Sequence, residues 1–166
     1  PFKQLDRSKL KIKKLGERPN KVQIEKDFIP LDKKYPNYEG IEKKVFGETV
    51  DRIITAKKNK RPIILVFGAH SIKNGLSPVM QELMKKGWVT HLATNGAGVI
   101  HDWEFSFQGK SSEDVKTNVE LGQFGIWEET GFFLNLSIIV GAYEGLGYGE
   151  SVGAMIQNEG LQIPSI

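Results

Sequence analysis

Cysteine is absent from the 166-residue chain, and this absence narrows the chemistry that the protein can perform. Without cysteine there is no disulfide scaffold, no thiol nucleophile and no cysteine-ligated zinc site. Long hydrophobic runs are missing too, since the longest one, residues 63–67, is far too short to cross a bilayer. The basic N-terminus leads into no apolar stretch typical of a signal peptide. The sequence therefore predicts a globular domain with no membrane partner, and a cytoplasmic location is compatible with it.

Basic residues are scarce in the C-terminal part of the chain and crowded in the N-terminal part. Residues 1–99 carry 21 Lys or Arg against 10 Asp or Glu, whereas residues 100–166 carry 2 against 10. A basic arm that binds single-stranded nucleic acid interleaves aromatic side chains for base stacking, but only Phe2 precedes Phe28 here. Residues 1–35 are therefore predicted to form a basic, solvated extension, with nucleic-acid binding as the less favoured alternative.

The acidic C-terminal part points to a cationic partner, because a surface rich in carboxylates attracts polyamines or basic proteins. Glu128 and Glu129 follow Trp127, so that carboxylates lie beside an aromatic wall for the methylene groups of a polyamine. These two residues are the candidate substrate-binding residues. A solvated helix face explains the same pattern, and the sequence leaves both explanations open.

Two short apolar segments in the middle of the chain predict parallel strands. Residues 63–67 are wholly apolar, which is typical of a strand buried on both faces of a parallel sheet. Ser77 and Pro78 are expected to start the helix that follows, and Gly87 to end it. Residues 88–93 are the second predicted strand. A strand, a helix and a strand with short connections form a right-handed βαβ unit.

Further helices are predicted on either side of this unit. Apolar residues recur broadly on one face of residues 38–58, as in an amphipathic helix. Ser111 is expected to start another helix, with Asp114 at capping-box spacing. Residues 125–143 and 149–158 are predicted to form two more.

Together these elements predict an α/β fold. The expected architecture is a three-layer Rossmann-like parallel sheet with helices on both faces. This domain would span residues 36–166, behind the basic extension of residues 1–35.

Small and polar residues follow the carboxyl end of each predicted strand. Ligands of open parallel sheets bind beyond these ends, where helix N-termini expose unpaired backbone N–H groups. The candidate cofactor-binding residues are Gly68, Ala69, His70 and Ser71 after the first strand, and Thr94, Asn95, Gly96, Ala97 and Gly98 after the second. They fit a nucleotide, but glycines also permit tight turns, so spacing alone leaves the two explanations equally open.

Three titratable residues come soon after the second of these segments. His101 is able to take up a proton at neutral pH, and Asp102 is able to accept a hydrogen bond from a ribose hydroxyl. His101 and Glu104 are the candidate catalytic residues, and Asp102 is a further candidate cofactor-binding residue. Helix capping by Asp102 is an alternative of equal weight. The three histidines have no zinc-ligand spacing, so no metal site is predicted.

Three segments of the chain resemble the deoxyhypusine synthase family, particularly its bacterial synthase-like branch. The segments are residues 67–78, FGAHSIKNGLSP, residues 91–104, HLATNGAGVIHDWE, and residues 109–115, GKSSEDV. The resemblance covers about residues 40–158. It implies a Rossmann-like fold that binds NAD and assembles as a homo-oligomer, a dimer or a tetramer, with active sites at dimer interfaces.

The resemblance also implies a reaction. In the true synthases NAD oxidises spermidine, a lysine of the enzyme captures the aminobutyl group as an imine, and the group passes to a lysine of a translation factor. Related bacterial enzymes transfer the same group to a free diamine such as putrescine. By this resemblance the chain would supply the dinucleotide-binding half of an NAD-dependent aminobutyl transferase.

The chain departs from the family pattern at two points. The family's catalytic lysine belongs to a C-terminal portion that this sequence does not contain, and no lysine follows Lys116. His101 stands where the eukaryotic and archaeal synthases have an acidic residue. The alternative function is therefore a non-catalytic module that binds a nucleotide or a polyamine.

Overall fold

The computed structural model describes residues 2–35 and 37–160, and this part of the chain has an α/β fold in which helices predominate. The strands are β1 (Asn20–Gln23), β2 (Ile64–Val66), β3 (His91–Ala93) and β4 (Lys110–Glu113). The helices are α1 (Ile24–Asp27), α2 (Gly40–Lys58), α3 (Ala69–Lys73), α4 (Ser77–Lys85), α5 (Gly96–Gln108), α6 (Val115–Glu120), α7 (Glu128–Glu144) and α8 (Tyr148–Asn158). Two single 3₁₀ turns precede β1, at Arg7–Lys9 and Leu15–Glu17.

Strands β2 and β3 form the predicted βαβ unit. They pair in parallel, with Ile64 opposite His91 and Val66 opposite Ala93, and α3 and α4 connect them. The prediction of two adjacent parallel strands is confirmed. The prediction of a strand buried on both faces is wrong, because Ile64 and Val66 are 58% and 76% exposed on a face that no described residue covers. The described part of this sheet has two strands, so the three-layer architecture is not seen in it.

The N-terminal segment is folded against the rest of the chain. Leu15 is fully buried, and β1 pairs antiparallel with β4, with Asn20 opposite Glu113. The backbone of Lys13 accepts a hydrogen bond from the N–H of Glu128 and donates one to the carbonyl of Ile126. The prediction of a solvated extension is therefore wrong where this segment is anchored, because β1 satisfies its backbone groups by pairing with β4 and the core takes up Leu15.

The predicted helices are present with small shifts of their bounds, except the one expected from Ser111, and α3 and α5 lie where no helix is predicted. Ser111 does not start a helix, because it lies with Ser112 in β4 and α6 begins only after Asp114, whose side chain accepts a hydrogen bond from the N–H of Thr117. Gly109, at a φ of 70°, ends α5 and turns the chain back towards β1. Pairing with β1 thus outweighs the local capping signal.

Helix α5 is the centre of the structure and contributes to two hydrophobic clusters. Trp103 packs in the first, and Phe105 packs in the second with Ile72 and Met80. Residues two apart on a helix point about 200° apart, so the two aromatic side chains face opposite sides of α5. The other buried members of the first cluster are Leu15, Trp127, Leu134, Val152 and Ile156. No described helix is long and apolar enough to cross a membrane.

Candidate functional site

The carboxyl ends of β2 and β3 lie side by side, because Val66 pairs with Ala93 at the last position of both strands. Gly68 precedes the first residue of α3, and Asn95 caps α5 by accepting a hydrogen bond from the N–H of Gly98 at 3.0 Å. The two candidate cofactor-binding segments therefore sit at one edge of the sheet, as predicted. In the first turn of α5 the N–H groups of Gly96 and Ala97 have no hydrogen-bond partner among the described residues, whereas that of Gly98 is capped.

A cavity of about 360 Å³ lies at this edge, and we name it the strand-end cavity. Thr94, Gly98 and Asp102 line it together, beside apolar groups of which Phe67, Val99 and Val152 are examples. Gly98 is required because a Cβ at this position would come within 2.3 Å of the Thr94 hydroxyl oxygen. Three of the predicted cofactor-binding residues thus form one surface, beyond the ends of two parallel strands.

The remaining candidate cofactor-binding residues surround this surface without lining it. Gly68, His70 and Asn95 are exposed, Ser71 is half-buried and Ala69 is buried. Gly96 lies at the start of α5, where an added Cβ would meet the hydroxyl of Tyr148 only at 3.9 Å. Ala97 faces a different cavity on the other side of the helix.

That second cavity has a volume of about 530 Å³, and we name it the histidine cavity. His101 and Glu104 line it, whereas Asp102 lines the strand-end cavity, because successive helical residues point about 100° apart. The structure therefore separates the candidate catalytic residues from Asp102. Polar and aromatic groups on the wall of the histidine cavity also include Arg18, Lys73, Ser112, Glu113, Phe124, Trp127, Thr130, Asn135 and Tyr148.

Glu104 is a buried hub that holds several elements together. It is 1% exposed and forms a bidentate pair with Arg18, whose two guanidinium contacts measure 2.8 and 2.6 Å. The hydroxyls of Ser111 and Thr130 donate to the same carboxylate at 2.6 and 2.9 Å. With four donors on its two oxygens, the carboxylate positions its neighbours, and its predicted catalytic role stays a prediction.

His101 is the titratable group that the cavity exposes beside this hub. Its Nδ1 lies 2.6 Å from the hydroxyl oxygen of Ser111. Burial lowers the pKa of His101 below the usual 6.5, Lys73 and Arg18 lower this pKa further, and Glu104 opposes them. The imidazole is therefore uncharged at neutral pH, which a proton acceptor requires.

Glu113 holds another part of the wall of the histidine cavity in place. Its carboxylate accepts hydrogen bonds from the indole Nε1 of Trp127 at 2.9 Å, from the amide of Asn118 at 2.8 Å and from the N–H of Gly125 at 3.1 Å. No cation pairs with this carboxylate among the described residues. Its negative charge is therefore available to a cationic ligand in the cavity.

Glu128 and Glu129 lie at the N-terminus of α7 and bind the N-terminal segment. Glu128 is 2.5 Å from the ammonium of Lys14, and Glu129 accepts a hydrogen bond from the N–H of Leu15 at 2.6 Å. Neither residue is part of the wall of the two cavities described above. Polyamine binding by this pair stays a prediction.

Sequence reasoning missed four residues of the histidine cavity and its hub. Arg18 lies within a basic run, and Lys73 lies just beyond the candidate cofactor-binding segment that ends at Ser71, so neither stands out in the sequence. Ser111 carried a capping signal, and Glu113 had none. Arg18 acquires its place through Glu104, 86 residues further along the chain.

No family model, curated protein or solved structure matches this chain in the comparisons. Within residues 2–35 and 37–160 no group of three His, Asp or Glu side chains is arranged to hold a metal ion. The case for a function therefore rests on the residues and on their geometry.

Proposed function

We propose that this chain is the dinucleotide-binding half of an NAD-dependent transferase of the deoxyhypusine synthase type. Such an enzyme moves the aminobutyl group of spermidine to a lysine or to a diamine acceptor. The observation that carries the proposal is the strand-end cavity, because it lies beyond two adjacent parallel strands at the N-terminus of a 13-residue helix. Dinucleotides bind at this kind of edge in open parallel sheets.

The strand-end cavity offers groups suited to each part of a nucleotide. Next to the cavity, the N–H groups of Gly96 and Ala97 suit the pyrophosphate, and Gly96 lets a ligand approach the backbone closely. Asp102 suits ribose hydroxyls. Since the cavity measures about 360 Å³, it fits one nucleoside, and the rest of the dinucleotide would extend over Gly68 and His70.

The histidine cavity is the proposed polyamine site. Its volume of about 530 Å³ suits a small flexible amine, and Trp127 and Phe124 would cover the methylene groups. The carboxylate of Glu113 would attract an ammonium group, while the charge of Glu104 is already paired with Arg18. Glu128 and Glu129 are then an outer acidic site at the start of α7.

The proposal includes a cytoplasmic homo-oligomer with a larger, three-layer sheet around β2 and β3. The exposed apolar side chains of Ile64 and Val66 support a further layer over that sheet. Helix α7 supports self-association, because it leaves an apolar face uncovered among the described residues. This face consists of Phe132, Leu136, Ile139, Val140 and Tyr143.

Calorimetric titration with NAD tests the cofactor site. We expect Gly96→Val to weaken NAD binding at least tenfold, because the isopropyl group would occupy the approach to α5. Gly47→Val is the matched control, since Gly47 lies within α2 with nothing near its Cβ position. Equal affinity of the two variants for NAD would refute the placement of the cofactor at α5. A wild-type chain that binds no NAD would refute the proposed function.

The second candidate function is a non-catalytic module that binds a nucleotide or a polyamine. The observation that favours it is the buried pair of Glu104 with Arg18, because this pair occupies a candidate catalytic carboxylate in a structural role. Formation of NADH from NAD and spermidine by the whole encoded protein separates the two candidates. A whole protein that binds both ligands and forms no NADH is the module.

A further inference from the structure

The tautomer of His101 follows from the hydrogen bonds around Ser111. Ser111 has one hydroxyl proton, and the carboxylate of Glu104, which is paired with Arg18, accepts hydrogen bonds only. The 2.6 Å contact between Ser111 and Glu104 therefore uses the hydroxyl proton. The oxygen of Ser111 is left as an acceptor for its second contact, which is with Nδ1 of His101 at 2.6 Å. This contact requires a proton on Nδ1.

The other ring nitrogen of His101 is then a free acceptor. When the neutral imidazole carries its proton on Nδ1, Nε2 carries a lone pair. Nδ1 is turned towards the fully buried Ser111, while the ring lines the histidine cavity. Within the described part of the chain Nε2 has no hydrogen-bond partner.

We propose that Ser111 is a positioning residue that holds His101 in its Nδ1-protonated tautomer, so that Nε2 accepts a proton from the ammonium group of an amine in the histidine cavity. The identity of the ligand as an amine rests on the proposed function, whereas the tautomer does not. In the transfer an N–H bond of the ammonium breaks, its electron pair stays on the amine nitrogen, and the proton bonds to Nε2. The resulting imidazolium is linked through Ser111 to the negative charge of Glu104.

The charges around His101 suit this task. Glu104 lies on the same helix, Lys73 and His70 lie on α3, and Arg18 lies on the N-terminal segment. Glu113 and Tyr148 line the same cavity from other elements. Burial and the nearby basic groups keep the resting ring neutral, so that Nε2 holds its lone pair, and the negative charge of Glu104 stabilises the imidazolium that the transfer forms.

Nitrogen NMR of the histidine rings in the ¹⁵N-labelled chain, without any ligand, tests the tautomer. The chain has three histidines, so the His101→Gln variant assigns the His101 signals by their loss. We expect protonated Nδ1 and unprotonated Nε2 in the wild type at a pH above the His101 pKa. A wild-type ring that carries its proton on Nε2 would overturn the proposal.

Ser111→Ala and Ser106→Ala form a matched pair. Both serines are fully buried, but the hydroxyl of Ser106 has no hydrogen-bond partner within the described part of the chain. We expect Ser111→Ala to move His101 towards a mixture of tautomers and Ser106→Ala to leave it unchanged. An unchanged tautomer in a folded Ser111→Ala chain would refute the role of Ser111. If that variant does not fold, Ser111→Cys tests the same point, because a thiol has similar shape and hydrogen-bonds weakly.

Titration with putrescine tests the proton acceptor. We expect putrescine to shift the Nε2 signal of His101 in the wild type, because an ammonium group donates a hydrogen bond to Nε2, and to shift it less in Ser111→Ala. No response of Nε2 to putrescine would refute the amine as ligand. Since no NAD is present, this result is independent of the test of the cofactor site.

Discussion

The N-terminal segment is more buried than its composition suggests, and the β2–β3 sheet is more exposed than its composition suggests. The segment around Arg18 is basic and was predicted to be solvated, yet Leu15 and Arg18 are 0% and 6% exposed. Strand β2 is wholly apolar, yet Val66 is 76% exposed. Composition thus states what a segment is able to bury, whereas burial itself depends on which partners are present to cover it.

The difference between the two regions comes from the partners that each one meets. Arg18 is buried because Glu104 neutralises it with two short hydrogen bonds, and an unpaired guanidinium would not be tolerated there. The outer face of β2 is apolar, but no described residue packs on it. Substitutions in the two regions should therefore change the free energy of unfolding by very different amounts.

The largest effect is expected from Arg18→Met. Loss of the guanidinium leaves the carboxylate of Glu104 buried without a cation, which typically costs about 3–5 kcal/mol in the free energy of unfolding. Urea denaturation measures this loss. Lys14→Met is the control, because it breaks an exposed pair with Glu128 and should leave the midpoint unchanged. Equal midpoints for the two variants would show that the segment around Arg18 is not buried in solution.

A smaller effect is expected where α7 and α8 pack closely. In Gly141→Ala the new methyl group would lie 1.8 Å from the hydroxyl oxygen of Ser151, and such overpacking costs about 1–3 kcal/mol. Gly131→Ala, in the same helix, meets nothing and should stabilise the chain by about 0.5–1 kcal/mol. Thermal unfolding compares the stabilities of the two variants. If both substitutions changed the stability in the same direction, the close approach of α7 and α8 would be contradicted.

The pH dependence of stability should report the burial of His101. Its pKa in the folded chain lies below the usual 6.5, so the unfolded chain binds more protons just below that pH. The free energy of unfolding therefore rises with pH between the lowered pKa and about 6.5, and the contribution of His101 is constant above this window. His101→Gln should remove this slope, while His91→Gln, at an exposed site on β3, should retain it. Urea titrations at several pH values measure both.

The smallest effect is expected on the open face of β2. Val66→Ala should change the free energy of unfolding by less than about 0.5 kcal/mol, because the side chain is exposed. Leu65→Ala, on the opposite face, should cost more, since Leu65 packs against the second hydrophobic cluster. A loss for Val66→Ala that grows with protein concentration would show that a second copy covers this face.

The sequence by itself determined the local elements of this chain. Ser77 and Pro78 mark the start of α4, the β-branched run marks β2, and the helical periodicity marks α2. These signals are readable because each one depends only on residues that are close together in the sequence. The sequence also determined that a polar segment follows each of β2 and β3. The parallel pairing of these two strands then brought the polar segments to one edge of the sheet. Ser111 shows the limit of such signals, because pairing with β1 placed it in a strand.

Only the tertiary structure decided which of these residues face one another. It placed His101 and Asp102 in different cavities through the turn of a single helix, although they are adjacent in sequence. It brought Arg18 and Ser111 to Glu104, and it left Val66 uncovered. The physical reason is that hydrogen bonds and ion pairs depend on distances of about 3 Å between atoms. Those distances arise from how helices and strands pack, which neither composition nor spacing along the chain specifies.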